Sequence, residues 1–336
     1  MRKDSFKDFK KILKNSHAIS IVTHWSPDGD AMGSSLGLYH FLKNSGKNVK
    51  VIVPNDYPAF LKWLPGNKNV LNFQQNEKKV NDFINKSQLI FTLDFNSYSR
   101  IEKLGESVHK SSAKKILIDH HRQPEKFADY YYHDISASST AELIYEFILG
   151  TESKKAIDKN IATCLYTGIM TDTGNFRFPS TRPSTLLIAA DLMQRGAVNH
   201  KIYNSVFDDS SENRLKLLGY CLSEKMRIFT EYNTALIFLS QKEQDDFNYE
   251  KGDTEGVVNY PLSIHGICLS VFMAERDGII KISFRSKGSF DVNSFAREHF
   301  SGGGHKNAAG GKSNSSLEST IEAFQKLLPL YKNKLG

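Results

Sequence analysis

The sequence predicts an α/β protein that combines an N-terminal doubly wound, mostly parallel sheet with a smaller C-terminal α/β domain. The first half of the chain alternates short apolar runs with helical patterns, which is typical of a parallel sheet covered by helices on both faces. Beyond about residue 220 the pattern changes to apolar runs that favour a mostly antiparallel sheet. The length of 336 residues is sufficient for a sizeable core in each domain.

The domain boundaries are expected where the apolar patterning weakens. Residues 197–220 mix polar residues with a helical pattern, and we interpret them as a linker. The first domain then comprises residues 1–196 and the second comprises residues 221–336.

Four strands are expected in the first domain, each followed by polar or helical sequence. They lie at residues 17–23 (HAISIVT), 48–53, 88–93 (QLIFTL) and 115–118. Helices are expected at residues 31–44, 140–150, 160–170 and 183–195. Gly46 and Gly196 suit the ends of the first and last of these helices.

The remaining elements are an N-terminal helix and the second domain. In residues 1–15, Phe6, Phe9 and Leu13 recur between lysines, which indicates an amphipathic helix packed on the body of the protein. The second domain is expected to contain strands 235–239, 267–274 and 279–284, a glycine-rich loop at 301–311 and a closing helix at 317–328.

Composition and charge are those of an ordinary globular protein. Hydrophobic residues make up 40% of the chain and charged residues 24%, with a net charge of +7. This modest excess is compatible with a polyanionic ligand and equally with a solvated surface. The three cysteines are far apart and form no CxxC pair, so neither a disulfide framework nor a zinc knuckle is indicated, and a reduced, cytoplasmic setting is expected.

Membrane association is not expected from the sequence. It contains no run of about 18 apolar residues, the length that a membrane span requires. The N-terminal segment also lacks the continuous apolar region of a secretory signal.

Acidic and histidine residues cluster at places where a strand should run into a loop. They are His24, Asp28, Asp30, Asp94, Asp119, His120, His121 and Asp172. Ligands of parallel sheets bind beyond the carboxyl ends of the strands, so these residues are expected to share one rim. They offer enough carboxylate and imidazole to hold two divalent metals, which is equipment for hydrolysing a phosphate ester.

Each cluster also has a simpler interpretation. Asp30 would serve equally as the cap of the helix that begins at Ala31. Asp94 would be an ordinary solvated strand end, and Asp172 an Asx turn. Two histidines beside Asp119 are less easily explained in this way.

Joint occurrence favours the metal interpretation. The set contains two imidazoles and four carboxylates: His24, His120, Asp28, Asp30, Asp94 and Asp172. The four negative charges of the carboxylates balance two divalent cations. The mixed oxygen and nitrogen set suits Mn²⁺ best, with Mg²⁺, Co²⁺ or Zn²⁺ as competitors. Asp94, which follows the central strand region, is the expected bridging ligand.

Two features of the second domain suggest an anion site. Gly302, Gly303, Gly304 and His305 form a run whose backbone N–H groups can wrap an anion, although a flexible connection is the simpler interpretation. A P-loop is excluded because its first glycine would fall at Lys306. Arg285 ends an apolar strand, and its planar fork matches a phosphate; the alternative is a surface ion pair.

An aromatic run offers a possible base-stacking surface. Tyr130, Tyr131 and Tyr132 follow one another, and single-strand binders stack bases on such rings. The simpler interpretation is a strand with one tyrosine buried.

These motifs resemble a known family. THWSPDGDAMGS (residues 23–34), Asp94, IDHH (118–121) and TDTGNFRF (171–178) resemble the motifs of the DHH phosphoesterases. ISFRSKG (282–288) and SGGGHKNAAGG (301–311) resemble the associated DHHA1 domain. The two-domain form is similar to the bacterial nanoRNase/pAp phosphatase subfamily.

The resemblance implies roles for individual residues. His24, Asp28 and Asp94 would hold one metal, and a second metal would be held by Asp30, Asp94, His120 and Asp172. His121 would donate a hydrogen bond at the scissile phosphate, with Asp119 orienting its neighbours. A terminal 5′-phosphate would be held by Arg285, Ser286, Gly302, Gly303, Gly304 and His305.

The resemblance also implies an activity. We expect a cytoplasmic, manganese-dependent hydrolase that converts short oligoribonucleotides to 5′-mononucleotides, 3′-phosphoadenosine 5′-phosphate to AMP, or both. A cyclic-dinucleotide phosphodiesterase and a catalytically silent nucleotide-binding regulatory protein are the alternatives. The expected partner is short RNA or a nucleotide, and the oligomeric state is open between a monomer and a homodimer.

Overall fold

The computed structural model describes residues 5–152 and 154–335. It contains two compact units, Met1–Asp209 and Ser210–Gly336. Residues 1–4 of the predicted N-terminal helix lie outside the described residues. The division between the units falls inside the predicted linker, which contains the helix Asn199–Phe207 and most of the helix Glu212–Ser223.

The first unit contains a six-stranded sheet in which every pair of neighbouring strands is parallel. The strands are β1 Ala18–Thr23, β2 Asn48–Val53, β3 Val70–Asn72, β4 Leu89–Leu93, β5 Lys114–Asp119 and β6 Tyr130–His133. Their order across the sheet is β3-β2-β1-β4-β5-β6. The predicted mostly parallel sheet is therefore confirmed. Across the sheet the strand numbers fall from β3 to β1 and then rise from β4 to β6, so the strand order reverses between β1 and β4.

Helices cover both faces of this sheet. They are α1 Phe6–Asn15, α2 Gly29–Asn44, α3 Phe73–Lys86, α4 Leu104–Lys110, α5 Thr140–Thr151, α6 Lys159–Asp172, α7 Pro183–Gln194 and α8 Asn199–Phe207. One hydrophobic cluster joins α1, α2, α5 and α6 to one face of the sheet. A second cluster joins α3 and α4 to the other face, which confirms the doubly wound arrangement.

Helices α2 and α6 approach each other closely because glycines line their contact. A Cβ atom added at Gly33 would stand 2.5 Å from the carbonyl oxygen of Cys164 and 2.7 Å from the amide nitrogen of Gly168. No other residue type leaves room for this approach. The contact brings the first turn of α2 alongside the last turn of α6, so Asp30 and Asp172 lie at the same end of the helix pair.

The second unit contains a six-stranded mixed sheet of order β11-β12-β10-β9-β8-β7. Its strands are β7 Met226–Phe229, β8 Thr234–Leu239, β9 Leu269–Arg276, β10 Ile279–Ser286, β11 Gly303–Gly304 and β12 Ala308–Ser313. Only the β8–β9 pair is parallel among these described strands, so the expected mostly antiparallel sheet is confirmed.

Helices also pack on both faces of the second sheet. They are α9 Glu212–Ser223, α10 Gln241–Asp246, α11 Val292–His299 and α12 Leu317–Leu335. One face packs against α11 and α12, and the other packs against α9. The second unit is thus a smaller α/β body with its own core.

Part of the predicted glycine-rich loop forms a hairpin. Residues 303–304 pair with residues 309–310 as β11 and β12, where a loop over 301–311 was expected. A Cβ atom at Gly302 would overlap the carbonyl oxygen of Gly310, and one at Gly304 would stand 2.5 Å from the carbonyl oxygen of Ala308. The glycines therefore permit close pairing of two chain segments, which a glycine-rich composition does not distinguish from a loop.

The tyrosine run forms strand β6, as its simpler interpretation predicted. Tyr132 is buried in the core of the first unit. The hydroxyl of Tyr131 accepts a hydrogen bond from the amide of Ala128 at 2.9 Å. These contacts give Tyr131 and Tyr132 a structural role.

None of the described helices combines the length and the apolar character needed to cross a membrane.

Candidate metal centre

The loop that follows β1 is held in shape from both sides. Ser26 has φ +53°, and its amide donates to Oδ1 of Asn55 at 2.6 Å. The amide of Trp25 donates to the carbonyl oxygen of Arg100 at 2.7 Å. Because Asn55 and Arg100 follow the neighbouring strands β2 and β4, the loop carrying His24 and Asp28 is fixed across the switch point of the sheet.

Asp28, rather than Asp30, caps helix α2. Oδ1 of Asp28 accepts hydrogen bonds from the amides of Asp30 and Ala31, both at 3.0 Å. The carboxylate of Asp30 instead accepts from the amides of Thr140 at 2.6 Å and Ala141 at 2.8 Å. The capping alternative for Asp30 is therefore wrong, and this carboxylate is buried beside the end of α6.

Asp94 occupies a strained position at the end of β4. Its φ of +64° lies in the left-handed region, which a residue other than glycine adopts at a cost. Its side chain is 3% exposed, and Oδ1 accepts a hydrogen bond from the hydroxyl of Thr140 at 2.8 Å. Such strain is typical of functional sites, where surrounding contacts hold a side chain in one required orientation.

A first donor group forms around His24. Its Nε2 lies 3.8 Å from Oδ1 of Asp28 and 3.5 Å from Oδ2 of Asp94. The other ring nitrogen, Nδ1, lies 2.9 Å from the carbonyl oxygen of Trp25. One nitrogen is thus held by the backbone while the other faces two carboxylates.

A second donor group forms around His120. Its Nε2 lies 3.8 Å from Oδ2 of Asp30, 3.6 Å from Oδ1 of Asp94 and 3.4 Å from Oδ2 of Asp172. The Nδ1 atom of His120 lies 3.2 Å from the carbonyl oxygen of Ala137. Asp94 therefore belongs to both donor groups, each through a different carboxylate oxygen.

His121 and Asp119 form an ion pair beside these groups. Nδ1 of His121 lies 2.7 Å from Oδ1 of Asp119 and 3.7 Å from Oδ1 of Asp94. The backbone carbonyl of His121 is bonded to Nε2 of His133 at 2.6 Å. These contacts fix both the backbone and the ring of His121.

Burial and crowding of like charges disfavour ionised carboxylates at this site. Burial, together with the charges of Asp94, Asp172 and Asp28, raises the pKa of Asp30 well above its ordinary value. Burial also raises the pKa of Asp172 to about 6; Asp28 and Asp94 add to this effect, and His120 opposes it. Buried carboxylates of this kind require compensating positive charge.

The pKa of His24 is also raised, which for a histidine favours the charged form. Burial alone would lower the pKa of His24, but its contacts with Asp28 and Asp94 outweigh burial and raise that pKa to about 10. The same pairing with His24 outweighs burial for Asp28 and lowers its pKa. The carboxylates of Asp28 and Asp94 therefore favour positive charge at His24, here in the form of a bound proton.

The pKa values of Asp119 and His121 shift as a pair. Burial would raise the pKa of Asp119, but the nearby imidazole of His121 lowers it to about 2. Burial would lower the pKa of His121, and the carboxylate of Asp119 raises it instead. The pairing therefore favours Asp119 as a carboxylate and His121 as an imidazolium.

The residues present fit divalent cations. In each of two sets, His24 with Asp28 and Asp94, and Asp30 with His120 and Asp172, the ligand atoms lie within 4.8 Å of one another. Carboxylate oxygens and imidazole nitrogens at such spacing match the donor chemistry of first-row divalent metals. The carboxylate crowding described above points to the same conclusion.

The predicted phosphate-binding residues lie in the second unit, where several already make internal contacts. Arg285 is half-buried and donates through Nη1 to the carbonyl oxygen of Phe284 at 3.0 Å. The buried hydroxyl of Ser286 donates to the carbonyl oxygen of Phe290 at 2.7 Å and accepts from the side-chain amide of Asn307 at 2.9 Å. Ser286 thus holds the turn that follows β10.

Three N–H groups of the glycine run are also engaged within the second unit. The amide of Gly302 donates to the carbonyl oxygen of Ala296 at 3.1 Å, and that of His305 donates to the carbonyl oxygen of Ala308 at 2.7 Å. The amide of Gly304 donates to Oδ1 of Asn293 at 2.9 Å. Anion contacts in this region would therefore fall mainly to side chains.

Several residues that support the donor groups were not found by sequence reasoning. They are Asn55, His133, Thr140 and Glu142. The polar run before α5 gives one signal, since Ser139 caps that helix by accepting from the amide of Glu142 at 3.0 Å. Nothing in that run indicates which residues of other elements it contacts.

Comparison with known proteins identifies both units. Residues 18–169 match the model of the DHH family, N-terminal domain, and residues 232–332 match that of the DHHA1 domain.

Similar proteins match most of the chain. A bifunctional oligoribonuclease and PAP phosphatase NrnA of Thermus thermophilus is 33% identical over 87% of this chain and 83% of that protein. The Bacillus subtilis protein of the same name is 30% identical over 93% of each chain.

A solved structure extends the likeness to the fold. An exopolyphosphatase-related protein from Bacteroides fragilis is 44% identical to this chain. The match has a TM-score of 0.94 and covers 98% of this chain and 97% of that one. With the motifs, the fold and the relatives in agreement, the chain belongs to the DHH/DHHA1 family of phosphoesterases and is a hydrolase.

Proposed function

We propose that this chain is a manganese-dependent phosphoesterase that hydrolyses short oligoribonucleotides to 5′-mononucleotides and 3′-phosphoadenosine 5′-phosphate to AMP. The observation that carries the proposal is the sharing of Asp94 between the donor groups of His24 and His120. The activities named for the relatives from Thermus thermophilus and Bacillus subtilis support the choice of substrate.

Two sets of side chains would hold the metals. His24, Asp28 and Asp94 would form the first set. The second set would be Asp30, Asp94, His120 and Asp172. Mixed oxygen and nitrogen donors suit Mn²⁺. When bound, two divalent cations supply positive charge to the phosphate oxygens and promote deprotonation of the attacking water.

His121 would act on the substrate itself. Its ring is oriented by Asp119 through the 2.7 Å contact at Nδ1. An imidazolium held in this way would donate a hydrogen bond from Nε2 to an oxygen of the scissile phosphate. This donor would stabilise charge that develops on the phosphate as the leaving oxygen departs.

The second unit would hold the end of the substrate. The Arg285 guanidinium offers a planar fork that matches a terminal phosphate, and the imidazole of His305 would add a donor. The glycines and Ser286 would contribute by shaping the hairpin and turn that carry these two side chains. Recognition of a free end would favour short substrates, which we propose are degraded in the cytoplasm.

A side-by-side hydrolysis assay tests the proposal. Purified full-length protein with Mn²⁺ is offered a 5′-phosphorylated diribonucleotide, 3′-phosphoadenosine 5′-phosphate, cyclic di-AMP, pyrophosphate and a longer RNA. Rapid release of mononucleotide from the dinucleotide, with slow cleavage of the longer RNA, is expected. Preference for cyclic di-AMP would reassign the substrate, and no turnover of any compound despite bound metal would favour the regulatory alternative. Size-exclusion chromatography with light scattering distinguishes a monomer from a homodimer.

A further inference from the structure

One short segment contacts three of the predicted metal ligands at once. Residues 137–141, called here the support segment, run from the end of a loop into helix α5. The carbonyl oxygen of Ala137 is bonded to Nδ1 of His120 at 3.2 Å. The amides of Thr140 and Ala141 donate to the two oxygens of Asp30. The hydroxyl of Thr140 donates to Asp94. The orientation of these three ligands therefore depends on the position of the support segment.

The support segment is itself held by a buried carboxylate. Glu142 is 0% exposed. Its Oε2 accepts hydrogen bonds from the amide of Ser138 at 3.1 Å, from the hydroxyl of Ser138, and from the hydroxyl of Thr185 at 2.9 Å. Glu142 thus joins the support segment to helix α7, whose Thr185 lies 43 positions later in the sequence.

Arg182 supplies the positive charge that this buried carboxylate needs. Its Nη2 donates to Oε1 of Glu142 at 2.6 Å, and its Nη1 donates to the hydroxyl of Ser136 at 3.0 Å. The Arg182 side chain is 35% exposed, so one partner of the ion pair reaches the surface. A carboxylate buried as completely as Glu142 is tolerated only when it is paired and hydrogen-bonded.

We propose that Glu142 and Arg182 form a positioning pair that sets the affinity of the donor groups for metal. The inference rests on the proposed metal-dependent function and adds residues to it. Besides bonding to each other, the two side chains are hydrogen-bonded to Ser136, Ser138 and Thr185, which are not predicted ligands. Both act through the support segment, which fixes the ring of His120 and the carboxylates of Asp30 and Asp94. Outer residues that orient ligands in this way typically change metal affinity or activity about 10–100-fold when they are removed.

The alternative is that the pair only stabilises the fold, and the chain offers a matched control for it. Arg195 lies at the other end of α7 and donates through Nε to Oδ2 of Asp191 at 2.7 Å. It also donates to the carbonyl oxygen of Lys154. This is again an arginine bonded to a carboxylate and to a second oxygen. Its described contacts include none with the support segment.

The test is Mn²⁺ binding to metal-stripped full-length protein. Free Mn²⁺ is followed by electron paramagnetic resonance during titration of the wild type, R182M, R182K and R195M. Melting temperatures in EDTA report the cost of each substitution to the fold. R182M is expected to bind Mn²⁺ at least about tenfold more weakly than the wild type. R195M is expected to bind within twofold of the wild type, and R182K should lie between.

Three outcomes would overturn the inference. Binding of R182M within twofold of R195M, with both proteins folded, would reduce the pair to a structural role. Should R182M fail to fold, R182Q takes its place, and Mn²⁺ binding by R182Q within twofold of the wild type would likewise leave the pair only a structural role. Absence of Mn²⁺ binding by the wild type would overturn the proposed metal centre, and the positioning role with it. The first two results leave that centre intact, so the two failures are distinguishable.

Discussion

Oδ2 of Asp94 lies 3.5 Å from Nε2 of His24, at the point between β1 and β4 where the strand order of the parallel sheet reverses. The second oxygen of Asp94 lies 3.6 Å from Nε2 of His120. His24 follows β1, Asp94 follows β4, and His120 follows β5, so three neighbouring strands deliver these side chains to one edge. This geometry makes Asp94 the residue on which the proposed chemistry depends most.

Replacing Asp94 by Asn is expected to abolish turnover while the fold is retained. The amide keeps the shape of the side chain but removes the charge shared by both donor groups. Since divalent metals supply several kcal/mol of charge stabilisation, hydrolysis of a 5′-phosphorylated diribonucleotide should fall about 1,000-fold or more. The control is Asp56→Asn, whose half-exposed carboxylate pairs with Lys62 at 3.2 Å. Near-wild-type turnover in Asp94→Asn would refute the role of this residue.

Replacing Asp172 by Asn is expected to stabilise the metal-free protein and weaken its response to Mn²⁺. Asp172 is the last residue of α6, where the helix dipole disfavours negative charge, and one of its ligand atoms lies within 4.8 Å of one from the buried Asp30. Removing its charge should raise the melting temperature in EDTA by about 2–4 °C. The increase caused by Mn²⁺ should shrink, because a ligand stabilises only the state that it binds.

Thermal melts with EDTA and with Mn²⁺ measure both effects on Asp172→Asn. A variant that is destabilised in EDTA and still gains the full increase from Mn²⁺ would be inconsistent with a metal ligand at this position.

Replacing Arg285 by Ala is expected to impair substrate binding without affecting the metal. Loss of a charged hydrogen-bonding partner costs about 1.5–3 kcal/mol, so KM for a short substrate should rise about 10–100-fold. The affinity for Mn²⁺ should stay unchanged. Lys281→Ala is the matched control, because Lys281 is an exposed cation on the same strand, β10. An unaltered KM in Arg285→Ala would remove its proposed role in holding the phosphate.

Glu243 is expected to make the second unit sensitive to acid. Burial would raise its pKa, but hydrogen bonds from Lys225, Ser240 and Tyr220 outweigh burial and lower the pKa to about 2. A lowered pKa stabilises the fold above the ordinary value of 4.5, and this contribution is lost as the pH falls from about 5 towards 2. At pH 7 the contribution should be on the order of 2 kcal/mol.

Urea unfolding followed by far-ultraviolet circular dichroism measures this effect. Both tryptophans, Trp25 and Trp63, lie in the first unit, so their fluorescence does not report on the second. The stability difference between the wild type and Glu243→Gln should shrink as the pH falls. Glu231→Gln, which affects an exposed pair with Lys332, serves as the control. A difference that is constant between pH 7 and 3 would contradict the assignment.

Much of the fold and the donor set was predictable because the signals are local. Strand β1 was expected at 17–23 and occupies Ala18–Thr23, and the predicted residues 48–53 coincide with β2. Parallel strands end at one edge, so polar residues that follow buried strands were expected together. His24, Asp94 and His120 were found by this argument, and their mutual distances agree with it.

The contacts that support these side chains were not predictable, since they depend on backbone groups far away in sequence. Asp30 accepts its hydrogen bonds from amides about 110 positions later, and any residue except proline offers such an amide. The capping alternative for Asp30 was wrong for the same reason, because distant amides hold its carboxylate while Asp28 caps the helix. Short strands such as β3, with three residues, carry too little pattern to be recognised.

The most direct test of the proposed centre is to locate metal in it. A crystal of the full-length protein soaked in Mn²⁺ would be measured at the manganese absorption edge, and an anomalous difference map would be calculated. We expect two peaks per chain, with the carboxylate of Asp94 in contact with both, His24 beside one and His120 beside the other. A single peak, or two peaks that do not share Asp94, would contradict the proposed two-metal centre.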